Sequence, residues 1–261
     1  MRKILPLASL LIFVFLVLFI VASPRPTELP IEFVSELETE EKEKFTACLL
    51  RADGNLVLLE VEKKNHENIY LYALKIYDHY RNSLPPKYQT PLKGNFEVKK
   101  LEKKGRELQI ELEFLYLEEN FKTFLTALMW TYQNLGIDSV VIKSRREEFR
   151  LEKNETVNLR VENPYASESQ IVYFHEGEEI LPVTYLHSED RTSFLIKKIL
   201  AHIPGAGYSY EDHDGFLFLE IQDPRYEITP ALIESLAYNL KELGLHEEIV
   251  IIKNGILVYN N

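Results

Sequence analysis

The sequence is poor in the residues that build catalytic and metal centres. A single cysteine, Cys48, excludes an internal disulfide and any cysteine-rich metal site. Set among Ala47, Leu49 and Leu50, it is expected in a buried strand, where a thiol packs as a small apolar group. There is no Gly-x-Ser-x-Gly elbow, P-loop or Rossmann fingerprint, and Gly205-Ala206-Gly207 follows a helical stretch where a phosphate loop would precede one. Positive charge is also short. Lys+Arg 30 against Asp+Glu 41 leave a net charge of −11, which disfavours nucleic acid and anionic lipid as partners because both bind basic surfaces that displace counterions. What is plentiful is apolar and aromatic: hydrophobic content of 46% with 15 Tyr and 14 Phe argues for folded domains and against a disordered tether.

Met1-Arg2-Lys3 precedes an apolar run from Leu5 to Ala22, interrupted only by Pro6 and Ser9. A helix over that run spans roughly 27 Å at about 1.5 Å per residue, close to the ~30 Å of a hydrocarbon core. Basic residues before the run and acidic ones after it place Met1 in the cytoplasm and the remainder outside. Residues 1–22 are therefore expected to be an uncleaved single-pass anchor in the cell membrane, with the C-terminal domains extracytoplasmic. No cysteine follows the run to carry a lipid. Residues 23–44, rich in Pro and Glu, read as a solvated tether.

Beyond it the chain repeats itself. Trp130 to Lys143 and Tyr238 to Lys253 both read as a helix, a Leu-Gly stop and a Val/Ile strand, about one small domain apart. The likeness continues upstream. Each copy opens with two apolar runs around a glycine turn, at Ala52-Asp53-Gly54-Asn55 and at His175-Glu176-Gly177-Glu178. An amphipathic stretch follows in each (Ile69, Tyr72, Ala73, Ile76, Tyr77 and Tyr80; then Phe194, Leu195, Lys198, Ile199 and His202), closed by Leu84-Pro85 or Ile203-Pro204. A second hairpin turns at Gly105 or Gly215. Leu108 to Phe114 alternates strictly, so one face is expected buried and one wet. Phe216 to Ile221 is apolar for several residues running, which predicts cover on both sides. The longest helices carry Phe121, Phe124, Leu125, Leu128, Met129, Tyr132 and Leu135, and Leu232, Ile233, Leu236, Leu240 and Leu243, the second with Thr229 as N-cap and Pro230 at N1. Gly136 and Gly244 suit left-handed C-caps. The fold class is α+β: two tandem two-layer modules of order ββαββαβ, residues 45–148 and 170–261, behind an N-terminal transmembrane helix. Residues 149–169 are a linker able to lend a strand to either module. A thin two-layer module leaves a sheet face open, for a partner or for the other module.

The opening hairpins, the proline-stopped helices, the hairpins around Gly105 and Gly215, and the final helix closing through Leu-Gly into a Val/Ile strand and then Lys253-Asn254-Gly255 together resemble the GerM domain, the sporulation and spore-germination domain family. The likeness covers nearly everything after residue 45, in two copies. It implies ring-building-motif-like modules without catalytic residues, cofactor or metal. It also implies a membrane-anchored, outward-facing assembly role in an envelope or sporulation-associated complex, through protein–protein contacts that include self-association.

Few residues suggest chemistry of their own. Glu211-Asp212-His213-Asp214, with His175, His187 and His202 in the same module, offers oxygen and imidazole ligands, but Asp214-Gly215 fills the position of the carboxylate-free turn at Lys104-Gly105, so a turn is the expected reading. The carboxylate pairs Glu147-Glu148 and Glu178-Glu179 read as solvated surface. Trp130 on the long helix is expected to pack, with an exposed docking aromatic as the alternative. A reading from another class, a cell-wall binding module or hydrolase outside the cytoplasm, differs in requiring a monomer that binds glycan.

Overall fold

Alternating apolar residues and glycine turns give strands in the expected order. The computed structural model describes residues 43–63, 67–78, 82, 84–91, 96–114, 121–145, 147–166, 168–201, 203–213, 215–225 and 227–261. The apolar run 5–22, the tether up to residue 42, Tyr80, His202 and Asp214 lie outside them. In the first module β1 (Lys44–Arg51) and β2 (Leu56–Glu62) form a hairpin, followed by α1 (Ile69–Lys75), β3 (Tyr88–Gln89), β4 (Phe96–Lys104), β5 (Glu107–Phe114), α2 (Phe121–Gln133) and β6 (Ser139–Lys143). In the second, β9 (Glu168–Glu176) and β10 (Glu179–His187) precede α3 (Arg191–Leu200), β11 (Gly207–His213), β12 (Phe216–Gln222), α4 (Pro230–Glu242) and β13 (Glu248–Lys253).

Each module gains a closing strand beyond the expected ββαββαβ. β7 (Glu148–Glu152) pairs antiparallel with β6, and β14 (Ile256–Asn260) with β13. Both α2 and α4 are followed by a glycine at positive φ, Gly136 at 78° and Gly244 at 64°, where any side chain would be strained. The expected caps of α4 are present: Thr229 Oγ1 accepts from the Leu232 N–H, and Pro230 occupies the first turn. α1 closes at Lys75, well before Pro85, although Ile76 and Tyr77 beyond it are fully buried.

The two-layer expectation is corrected. The opening hairpins do not join the sheets of their own modules. They join each other. β2 pairs with β10 at Leu58↔Ile180 and Leu59↔Glu179, giving one shared sheet in the order β3-β1-β2-β10-β9, with β8 (Arg160–Val161) running parallel to the far end of β10. Two separate sheets, β4-β5-β6-β7 and β11-β12-β13-β14, complete the modules. α2 touches β1 of the shared sheet as well as β6 and β7, and α4 touches β9 as well as β13 and β14. Each long helix is thus the filling of a three-layer sandwich. This accounts for α2 being buried nearly all round, Thr126, Ala127, Trp130 and Thr131 included. The linker serves both modules, giving β7 to the first and β8 to the second. Among the described residues no helix is long and apolar enough to cross a bilayer.

Candidate functional site

Two of the residues singled out by type, Trp130 and Glu179, lie at the joint between the modules. Trp130 is wholly buried, as packing on the long helix requires and unlike a docking aromatic. Its Nε1 donates to the Glu155 carbonyl at 2.9 Å, and its ring meets Tyr173 edge-on at 6.1 Å. Tyr173 meets Tyr238 at 5.3 Å, and Tyr238 meets His175 at 5.4 Å. An aromatic chain therefore runs from the first module's long helix through β9 to the second module's long helix. Trp130 has a partner, but an internal one, because the third layer formed by the shared sheet covers the helix face it occupies. Burial holds the His175 imidazole below its usual pKa and pushes the Tyr173 phenol up.

Asn158 clasps the seam. Its Oδ1 accepts from the Leu56 N–H at 2.9 Å while its Nδ2 donates to the carbonyls of Leu56 at 2.6 Å and Pro182 at 2.7 Å. It bridges β2 and β10 where the strands no longer pair. Its φ of 47° is a left-handed conformation that asparagine tolerates better than most residues.

The edges of the shared sheet are closed from the helices. The outward N–H of Cys48 on β1 donates to Thr131 Oγ1 at 2.8 Å, and Tyr77 OH donates to the Cys48 carbonyl at 2.7 Å. At the other edge Asn239 on α4 meets both backbone groups of Tyr173: Oδ1 accepts from the N–H and Nδ2 donates to the carbonyl, each at 2.7 Å. Register explains the second case. Tyr173 faces Pro182 in a non-hydrogen-bonded pair, so its N–H and carbonyl both point to the open side of β9, where Asn239 meets them. The Cys48 thiol is buried as expected, and desolvation pushes its pKa far up, away from thiolate chemistry.

Glu179 corrects the reading of Glu178-Glu179 as solvated. Glu178 is exposed, but Glu179 is only 6% exposed and sits at the seam. Its carboxylate takes Lys87 Nζ at 2.6 Å, Tyr88 OH at 2.7 Å and Arg51 Nη1 at 3.2 Å. The Lys87 contact leads in holding its pKa below the usual 4.5, helped by Tyr88 and Arg51 and opposed by desolvation. Arg51 also reaches Asp53 and Glu176. No local signal could have found this cluster, since β1, β3 and β10 are remote in sequence.

The histidines do not gather. His187 stacks flat on Phe194 at 3.7 Å and meets Gln170 Oε1 at 3.0 Å, while His213 is exposed. Asp212 Oδ2 instead meets the buried His246 Nε2 at 2.9 Å. That pair has no hydroxyl or thiol hydrogen-bonded to it among the described residues, and none of these residues forms a group of three or more metal-type ligands. The arrangement can lock two modules together. Among the described residues it sets no nucleophile beside a base.

Neither a family model nor a curated protein matches the sequence. Among solved structures, one similar to this chain is that of the tandem GerMN domains of the sporulation protein GerM from Bacillus subtilis, with a TM-score of 0.68 over 82% of this chain and 92% of that one, at 17% identity. The first GerMN domain of the same protein, taken alone, aligns over 41% of this chain and 86% of that one, with a TM-score of 0.36 at 19% identity. The chain has the fold of a tandem GerMN-domain protein.

Proposed function

We propose that the chain is a membrane-anchored, extracytoplasmic scaffold of the GerM type that works through protein–protein contacts and not through chemistry, in an envelope or sporulation-associated complex. One observation carries the reading. Trp130 and Glu179, two of the side chains that could have formed a site, join Asn158 in contacts that tie the two modules into one body. A rigid double module suits a part that must hold partners at fixed separation. The likeness to a sporulation protein supports the association with sporulation, and the basic start followed by the apolar run 5–22 supports the anchor.

Membrane fractionation of the full chain against a variant lacking residues 1–23, followed by co-purification from each, tests the proposal. The full chain is expected in the membrane fraction with a protein partner, and the shortened one in the soluble fraction. A full chain that is soluble overturns the anchor. Turnover of cell-wall glycan by residues 24–261 overturns the scaffold.

A further inference from the structure

Because the chain contains the same sheet twice, each module serves as a control for the other. Parallel pairing sets Glu107 beside Ser139 in the first module and Phe216 beside Glu248 in the second. The positions held by Glu107 and Gln109 are therefore those of Phe216 and Phe218, and Val141 and Lys143 correspond to Val250 and Ile252. The closing strands extend the match, since Lys143 lies opposite Glu148 and Ile252 opposite Leu257. All these residues point away from the long helices, because their chain neighbours Leu108, Val140, Leu217, Leu219, Ile249 and Ile251 are the ones buried in the cores.

The two open faces differ in kind. The first is charged and internally neutralised: Glu107 meets Arg150 at 3.1 Å, Glu102 meets Lys100 at 2.9 Å, Glu113 meets Lys99 at 3.1 Å and Glu148 meets Lys143 at 3.4 Å. The second is an apolar stripe across three strands. Phe216, Phe218, Val250 and Ile252 are partly exposed and Leu257 is 57% exposed, while Ile256, opposite Lys253, lies on the other side of the closing strand. Among the described residues none of the helices packs on this face. The expectation that β12 is covered on both sides is thereby corrected, and the cover it calls for must come from elsewhere.

The stripe has an acidic rim. By register Glu211 lies beside Phe218, Glu220 beside Ile252 and Glu248 beside Phe216. None of the three makes an ion pair among the described residues; of their counterparts in the first module, Glu102 meets Lys100, while Glu248 takes the place of the uncharged Ser139. Lys253 does not neutralise them, since its Nζ turns to the other side and meets Asp223 and the Ile228 carbonyl. The exposed His213 is the one basic type of side chain beside them by register. A second copy stacked on this face would set carboxylates against carboxylates, and an anionic lipid surface would do the same.

We propose that this face, centred on Phe216, Phe218, Val250, Ile252 and Leu257, docks a different protein whose contact surface is apolar at its centre and basic at its rim. The inference rests on the scaffold reading and gives the partner its chemistry.

Photo-crosslinking in the full chain, in its own membranes, tests it. A benzophenone-bearing residue is placed at position 218 or 257, and at the matched positions 109 and 148 of the first module. Capture is expected from 218 and 257 alone, and the crosslinked peptide of the captured protein is expected to carry Lys or Arg around apolar residues. Capture is also expected to fall by roughly tenfold or more when Glu211→Lys, Glu220→Lys and Glu248→Lys are combined, with emission from the buried Trp130 unchanged as the folding control. Crosslinks to a second copy, to lipid or to residues 5–22 overturn the proposal, as does capture that ignores the charge reversal. Capture only from 109 or 148 overturns this face and leaves the scaffold standing, whereas no captured protein at any of the four positions counts against both.

Discussion

The Trp130 indole closes the joint from the first module's long helix, edge-on to Tyr173. Its place on a helix with an apolar stripe was legible. The groups that cover it, Tyr173 from β9 and Glu155 from the linker, were not. Trp130→Ala should cost about 3–5 kcal/mol, the range for removing a buried aromatic, measured by urea unfolding; a loss below ~1 kcal/mol would mean the joint does not depend on it. Glu179 makes the same point for charge. With its folded pKa held below 4.5 by Lys87, Tyr88 and Arg51, the unfolded chain takes up this proton first on acidification. The stability contributed by Glu179 is therefore whole above about pH 4.5 and is lost as pH falls through the depressed value. Melting temperature should drop in that window, and Glu179→Gln should flatten the drop. Parallel profiles for the two proteins would show that Glu179 is not the group responsible.

At the scale of elements, strands, turns and helix caps were visible because their signals are local: the glycine turns, Thr229-Pro230, and the Leu-Gly stops at Gly136 and Gly244. Layering was not visible. Whether an opening hairpin pairs with its own module or with the other rests on two residue pairs between β2 and β10, and nothing within either strand announces them. Polar residues on the long helices carry the trace of the layering. Thr131 and Asn239 interrupt apolar faces because each meets a strand edge. Asn239→Leu should leave the Tyr173 N–H unpaired in the interior, at about 1–3 kcal/mol, and its carbonyl with only the 3.5 Å contact from Ser235 Oγ. Hydrogen exchange at the Tyr173 amide, slow in the parent, should speed up in the variant; unchanged protection there would remove Asn239 from the role given to it.

For the whole molecule, duplication was the most legible property and fusion the least. The repeat of Trp130–Lys143 in Tyr238–Lys253 is plain in the sequence, but tandem repeats ordinarily suggest independent beads. Here the first module's core reaches into the second, taking in Tyr173, Ile171, Ile180, Leu181 and Tyr238. The described residues from Glu43 onward should then behave as one cooperative unit, and damage to the seam should be felt in both halves. Asn158→Ala, which leaves the Leu56 N–H and the Pro182 carbonyl without their clasp, should lower the urea midpoint without splitting the transition at low damage. An unaltered midpoint would show that the clasp is idle.

The account stands or falls on that unity, and equilibrium urea unfolding of residues 43–261 followed by two probes measures it most directly. Fluorescence of the lone tryptophan reports the joint, and far-UV circular dichroism reports both modules. Coincident single transitions are predicted. Two separated transitions, with the Trp130 signal lost in the first while half of the secondary structure survives, would contradict the fused body.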